Sequence, residues 1–162
     1  MRQSVGRVAN GEMYLDSAII VKLLVREPDS QWFARNLSGH SFDTSELALT
    51  EVCGALLFKE RDNQITAQER VRAMEKFFSM VDDEMIVLHP LNHKVPERAR
   101  TIQLACHPHV PLRTLDALHV ATCDLHHAKM LATTDRRMRA ACGQLGIALV
   151  PAKPEDITLT AS

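Results

Sequence analysis

Aromatic residues are scarce in this chain: one tryptophan, one tyrosine and five phenylalanines, 4% of 162 residues. A surface that stacks successive nucleic-acid bases on aromatic rings therefore has little to be built from. Cysteine is equally thin. Cys53, Cys106, Cys123 and Cys142 are scattered without a C-x-x-C pair, three of them among apolar neighbours. That is the pattern of reduced, buried thiols in a cytosolic protein, not of a disulfide framework. No apolar run reaches the length of a membrane span, because "AIIVKLLV" is broken by Lys22 and "LALTEVCGALLF" by Glu51. Glycine-rich phosphate loops and the G-x-S-x-G pattern are missing too, which leaves nucleotide-binding and serine-hydrolase readings without support. The formal net charge of −1 provides no overall basic field. Lysine and arginine number 19 against 20 acids, however, so separate patches of each sign remain open.

What is present is the composition of an ordinary globular domain, 46% hydrophobic and 24% charged, without internal repeats or linkers. Short apolar strands are expected at "MYLD", "SFDTS", "MIVLHP", "MLATTD" and "IALV", alternating with helices. The pattern implies an α/β domain around a parallel sheet over residues 13–150. The polar stretch 1–12, "MRQSVGRVANGE", reads as a disordered extension with Met13 an alternative start, and 151–162 as a polar tail. Ser45 is placed as the N-cap of the helix "ELALTEVCGALLFKERD", and Pro96 as an interruption near the start of "NHKVPERARTIQLAC". Residues 66–84 read as an amphipathic helix with Val71, Met74, Phe77 and Phe78 on one face, turned to the core or to a partner.

Acids fall in four telling places. Two strands end in aspartate, Asp16 and Asp135, at the strand ends where open parallel sheets gather ligands; either is also a good helix cap. Two helices carry acids on apolar faces. Glu51 shares a stripe with Leu47, Ala55 and Phe58, and Asp116 lies with Val120 and Cys123. For Asp116 the plain alternative is a first-turn carboxylate on the helix dipole, with Thr114 as N-cap. Four clustered carboxylates repel one another unless a cation sits among them. Oxygen ligands suit Mg²⁺ or Mn²⁺, which activate water and neutralise phosphate charge, so metal-assisted phosphodiester or phosphomonoester chemistry follows.

Four blocks, "MYLDSAIIVKLLVREP", "TSELALTEVCGAL", "LRTLDALHVATC" and "LATTDRRMRAA", resemble the signature blocks of the PIN-domain nucleases, nearest to VapC-type toxins of toxin–antitoxin pairs. The resemblance spans about residues 13–150. It implies a three-layer α/β/α fold with four to five short, mostly parallel strands, and Mg²⁺- or Mn²⁺-dependent endoribonuclease activity in the cytoplasm. It further implies a small VapB-like antitoxin partner and a homodimer. Asp16, Glu51, Asp116 and Asp135 match the family's acidic quartet, and Thr133 its hydroxyl beside the last acid. One position departs: Ala18 stands where a polar residue is common, which leaves Ser17 as the candidate substitute.

Around the acids, Arg113, Arg136, Arg137 and Arg139 read either as a solvated face or as holders of an RNA backbone. Lys22 reads as a snorkelling side chain. His107, His109, His126 and His127 lack the paired spacing of a zinc site, and His119 reads as a packing or hydrogen-bonding residue. Two rival readings stay open. A haloacid-dehalogenase-like phosphatase wants a second acid two residues after Asp16, where Ala18 stands. A non-cleaving receiver-like or PIN-like module finds only a weak lysine match at Lys153.

Overall fold

Period-two alternation sends the side chains of each strand into two separate apolar layers. The computed structural model describes residues 13–159, so the reading of residues 1–12 and the last three residues of the tail lie outside it. In β1 (Met13–Leu15), Met13 and Leu15 enter one apolar cluster and Tyr14 the other. In β4 (Met130–Ala132), Ala132 and Leu131 divide the same way. With β2 (Phe42–Ser45), β3 (Ile86–His89) and β5 (Ala148–Val150), these strands form a five-stranded sheet in the order β3-β2-β1-β4-β5, every pairing parallel. Helices α1 (Ser17–Leu24), α2 (Ser30–Asn36), α3 (Leu47–Arg61) and α4 (Ala67–Asp82) supply one layer, centred on Ile19, Phe33, Val52 and Phe77. Helices α5 (Lys94–Cys106), α6 (Thr114–Leu125) and α7 (Arg136–Leu145) supply the other, centred on Ile102, Val120 and Met138. The three-layer α/β/α expectation holds.

Strand order positions the site. The chain steps outward from β1 to β2 and β3, then returns to the other flank of β1 with β4 and β5. The order therefore reverses between β1 and β4, and a crevice opens past their carboxyl ends. Asp16 follows β1 and Asp135 lies three residues beyond β4, one on each side of that reversal.

Several local expectations shift. In α4 the buried stripe is Ala73, Phe77 and Met80, while Val71 and Phe78 are exposed. At about 100° per residue, Phe78 and Phe77 cannot both face the core. Thr66 and Glu69 close a reciprocal capping box on this helix. In α3 the buried line is Ala48, Val52 and Leu56, so Glu51 lies at its edge and Phe58 points outward. Glu46, not Ser45, holds the cap position of α3, though the Ser45 hydroxyl still accepts from Leu47 N at 3.3 Å. Pro96 does not interrupt α5, because it sits in the first turn, where the missing N–H has no partner to lose. Gly146 ends α7 with φ +71°, a conformation that favours glycine.

Candidate active site

Asp16 and Asp135 are helix caps and crevice acids at once. Asp16 caps α1, its Oδ1 accepting from Ile19 N at 2.8 Å, while Oδ2 accepts from the Thr133 hydroxyl. Asp135 caps α7 through Oδ1, which accepts from Arg137 N at 2.8 Å and Met138 N at 3.0 Å. Thr133 also accepts from Asp135 N at 3.0 Å, so one buried hydroxyl ties the two acids together. Burial pushes the Asp16 carboxyl above its usual value. Bonds from Thr133 and Ile19 and the nearby His119 oppose that rise, and the charge of Asp135 adds to it.

Asp116 enters from the layer that α6 shares with α7, in the first turn of α6. Thr114 is the first helical residue rather than the cap, a place taken by Arg113 in extended conformation without a side-chain bond. Oδ2 of Asp116 is buried and has no hydrogen-bond partner, the only such side-chain atom among the described residues. Burial, then the charge of Asp135, pushes its carboxyl up; Arg113, His119 and Arg137 offset this only in part. A buried, partnerless carboxylate oxygen under the charge of Asp135 is costly unless something positive binds there.

Glu51 belongs to a different set of bonds. Its Oε2 accepts from the Ser17 hydroxyl at 2.5 Å and from His119 Nε2 at 2.6 Å. His119 is buried, and its Nδ1 lies 2.7 Å from the hydroxyl of the fully buried Tyr14. Burial would raise the Glu51 carboxyl, but the bond and charge of His119, with the Ser17 hydroxyl, outweigh it and hold it below its usual value. The Ser17 substitute for a polar residue at Ala18 thus reaches Glu51, whereas Ala18 is exposed and lines the cleft, with no second acid there. Sequence reading overlooked Tyr14. The available signal was the one tyrosine of the chain placed two residues before Asp16 in an otherwise apolar strand.

The crevice is an open cleft of about 550 Å³ lined by Asp16, Ala18, Thr134, Asp135, Arg136 and Arg137. Arg113 and Arg137 lie near enough to Asp116 to favour its charge. Arg139 leaves the set, because its guanidinium donates to the carbonyls of Thr133, Pro151 and Ala152 and anchors the chain after β5. Lys22 does not snorkel freely: it pairs with Glu27 at 2.6 Å and Asp29 at 2.8 Å, and Lys59 joins Glu27 at 2.7 Å. At the other end of α6 from Asp116, His126 stacks on His89 at 3.6 Å, and His89 bonds Asp43.

The residues present fit a hard divalent cation. Donors from Asp16, Asp116 and Asp135 are all oxygen, and one of them is an orphaned buried atom. Among the described residues no three Asp, Glu, His or Cys side chains form a ready-made ligand cage. An ion that keeps several of its own waters needs none.

Comparison with known proteins bears on the family and the fold. A family model described as PIN domain matches residues 13–144. Ribonuclease VapC46 of Mycobacterium tuberculosis is 35% identical over 141 residues, spanning 85% of this chain and 95% of that protein. Among solved structures, Mycobacterium tuberculosis VapC20, a sarcin-ricin loop cleaving toxin, superposes with a TM-score of 0.61 at 16% identity, covering 80% of this chain and 94% of its own. FitAcB of Neisseria gonorrhoeae gives a TM-score of 0.57 at 14% identity, covering 85% and 95%. A toxin–antitoxin complex from Klebsiella pneumoniae gives 0.56 at 16%, covering 79% and 90%.

Proposed function

From the premise that this chain belongs to the PIN domain family, we propose that it is a metal-dependent endoribonuclease, the toxin of a VapBC-type pair. The observation that carries the reading is the partnerless, buried Oδ2 of Asp116, under the charge of Asp135 beside the reversal of strand order. Asp16, Asp116 and Asp135 would hold Mg²⁺ or Mn²⁺, with Glu51 completing the pocket through water. When bound, such an ion supplies an activated water and charge neutralisation at the scissile phosphate.

The chain's own residues do the rest. Thr133 sets the spacing of Asp16 and Asp135. Ser17 orients Glu51, whose carboxylate accepts the hydrogen bond of the attacking water. Arg113, Arg136 and Arg137 flank the acids and hold the RNA phosphates on either side of the cut, contacts that position RNA without reading its sequence. A small antitoxin blocks the cleft in the resting complex, in keeping with the Klebsiella relative being a toxin–antitoxin complex. The exposed apolar side chains of α3 and α4, Phe58, Val71 and Phe78, offer surface to that partner or to a second copy of the chain. Action in the cytoplasm is part of the same reading, and no helix among the described residues is long and apolar enough to cross a membrane.

The test is cleavage of mixed tRNA and rRNA fragments by antitoxin-free protein with Mn²⁺, Mg²⁺ or EDTA, beside Asp16→Asn. Discrete fragments that require metal and vanish in the variant are expected. Intact RNA in every lane, from folded protein that still binds Mn²⁺, would favour a non-cleaving PIN module instead.

A further inference from the structure

The Glu51 side of the site is organised by a buried histidine for which the acidic quartet has no role. His119 is 3% exposed, and both ring nitrogens are engaged. A carboxylate only accepts, so the hydrogen between His119 and Glu51 belongs to Nε2. In the neutral imidazole the Tyr14 hydroxyl then donates to Nδ1. This line of bonds runs from β1, through α6, to α3. Tyr14 lies two residues before Asp16, His119 one helical turn after Asp116, and Glu51 comes from the opposite layer. Three of the four acids are thus fixed relative to one another by elements that a single imidazole joins.

The consequence falls on Glu51. Both of its hydrogen bonds, from His119 and Ser17, go to Oε2, and Oε1 has no partner among the described residues. One oxygen is committed to the protein and the other is left for water. We propose that His119, oriented by Tyr14, is a positioning residue for RNA cleavage that holds Glu51 with Oε1 free toward the attacking water. The proposal rests on the nuclease reading and deepens it, since it gives Glu51 the role of orienting water rather than that of a direct metal ligand. A merely structural histidine would satisfy the same bonds, so the test must separate stability from turnover.

Substitution can split the two bonds. In His119→Asn the side-chain oxygen still accepts from Tyr14, but no N–H reaches Glu51; in His119→Gln the amide reaches further and restores that donor. With full-length protein, Mn²⁺ and a fluorogenic single-stranded RNA, His119→Asn is expected to lower kcat by about 10²-fold, as for a misplaced catalytic group, with KM nearly unchanged. His119→Gln is expected to recover most of the rate, and Tyr14→Phe to lose part of it. Added to Glu51→Gln, the His119→Asn change is expected to cost nothing further. Independently of turnover, ¹⁵N spectra should show His119 with hydrogen on Nε2 in the wild type and in Tyr14→Phe, and a mixture of tautomers in Glu51→Ala.

Wild-type protein that leaves the RNA intact overturns the nuclease reading and this proposal with it. Wild-type cleavage matched by His119→Asn overturns the proposal alone. So does a loss of rate that merely follows the melting temperature and that glutamine does not repair.

Discussion

Thr133 and Asp16 are joined across adjacent strands by a hydrogen bond from the threonine hydroxyl to Asp16 Oδ2, and the same hydroxyl oxygen accepts from the backbone of Asp135. One small side chain therefore sets the spacing of two crevice acids on either side of the strand reversal. Thr133→Val keeps the shape but leaves a buried carboxylate oxygen and an N–H without their partner. A loss of about 1–3 kcal/mol is expected, with a fall in cleavage rate, while Thr133→Ser retains both. Thermal melts and initial rates check this; a valine variant as stable and active as the wild type would break the link.

Asp116 is expected to weaken the metal-free fold. Burial and Asp135 raise its carboxyl above the ordinary 3.8, so the folded state holds that proton more tightly than the unfolded chain. Stability is thus lost as pH rises from the unfolded value through the folded one, and the deficit is complete above both. In EDTA at neutral pH, Asp116→Asn should melt higher than the wild type, and the gap should close below pH about 4. Mn²⁺ should stabilise the wild type, by about 2.7 kcal/mol at a hundred times Kd, and leave Asp116→Asn unmoved. A wild type that outlasts the variant without metal would contradict this account.

The ion pairs joining α1, α2 and α3 carry the opposite sign. Burial would raise the Glu27 carboxyl, but hydrogen bonds and charge from Lys22 and Lys59 hold it below the usual 4.5. A depressed acid contributes stability above its unfolded value and loses it as pH falls through the folded one. Glu27→Gln should cost about 1 kcal/mol at neutral pH, near the top of the range for pairs that keep some solvent contact. That cost should fade below pH 4.5 in denaturant titrations.

The arginines beside the acids should act on binding more than on turnover. Arg113→Ala and Arg137→Ala are expected to raise KM for every RNA tested. Each should also flatten the salt dependence of binding, by about 0.7 per lost phosphate contact for single strands. Equilibrium titrations at three salt concentrations decide this. An unchanged slope would place both side chains on a solvated face.

Adjacent phenylalanines in α4 report its orientation. Phe77→Ala should cost about 3–5 kcal/mol, since Phe77 is fully buried in the apolar cluster it shares with Ile19, Val52 and Ile86. Phe78→Ala, at 45% exposure, should stay within about 0.5 kcal/mol in the isolated protein.

Much of this is legible in the sequence. Strands and helices alternate where periodicity placed them, because backbone pairing and apolar spacing are properties of neighbouring residues. Asp16 and Asp135 could be marked as caps at strand ends for the same reason. Glu51 was harder to read: the stripe through Phe58 suggested a core position, whereas α3 turns its Ala48–Val52–Leu56 line inward and leaves the acid at the margin.

Local pattern in the chain determined the element order, the α/β class and the four acids. Tertiary structure alone decided that the strand order reverses between β1 and β4, that Arg139 anchors backbone carbonyls, and that Asp116 keeps a buried oxygen without a partner. It also decided that Tyr14 meets His119 across 105 residues and that His119 meets Glu51 across 68. The reason is physical: caps and periodicities are settled within a few residues, whereas bonds across such separations exist only after both helical layers have closed on the sheet.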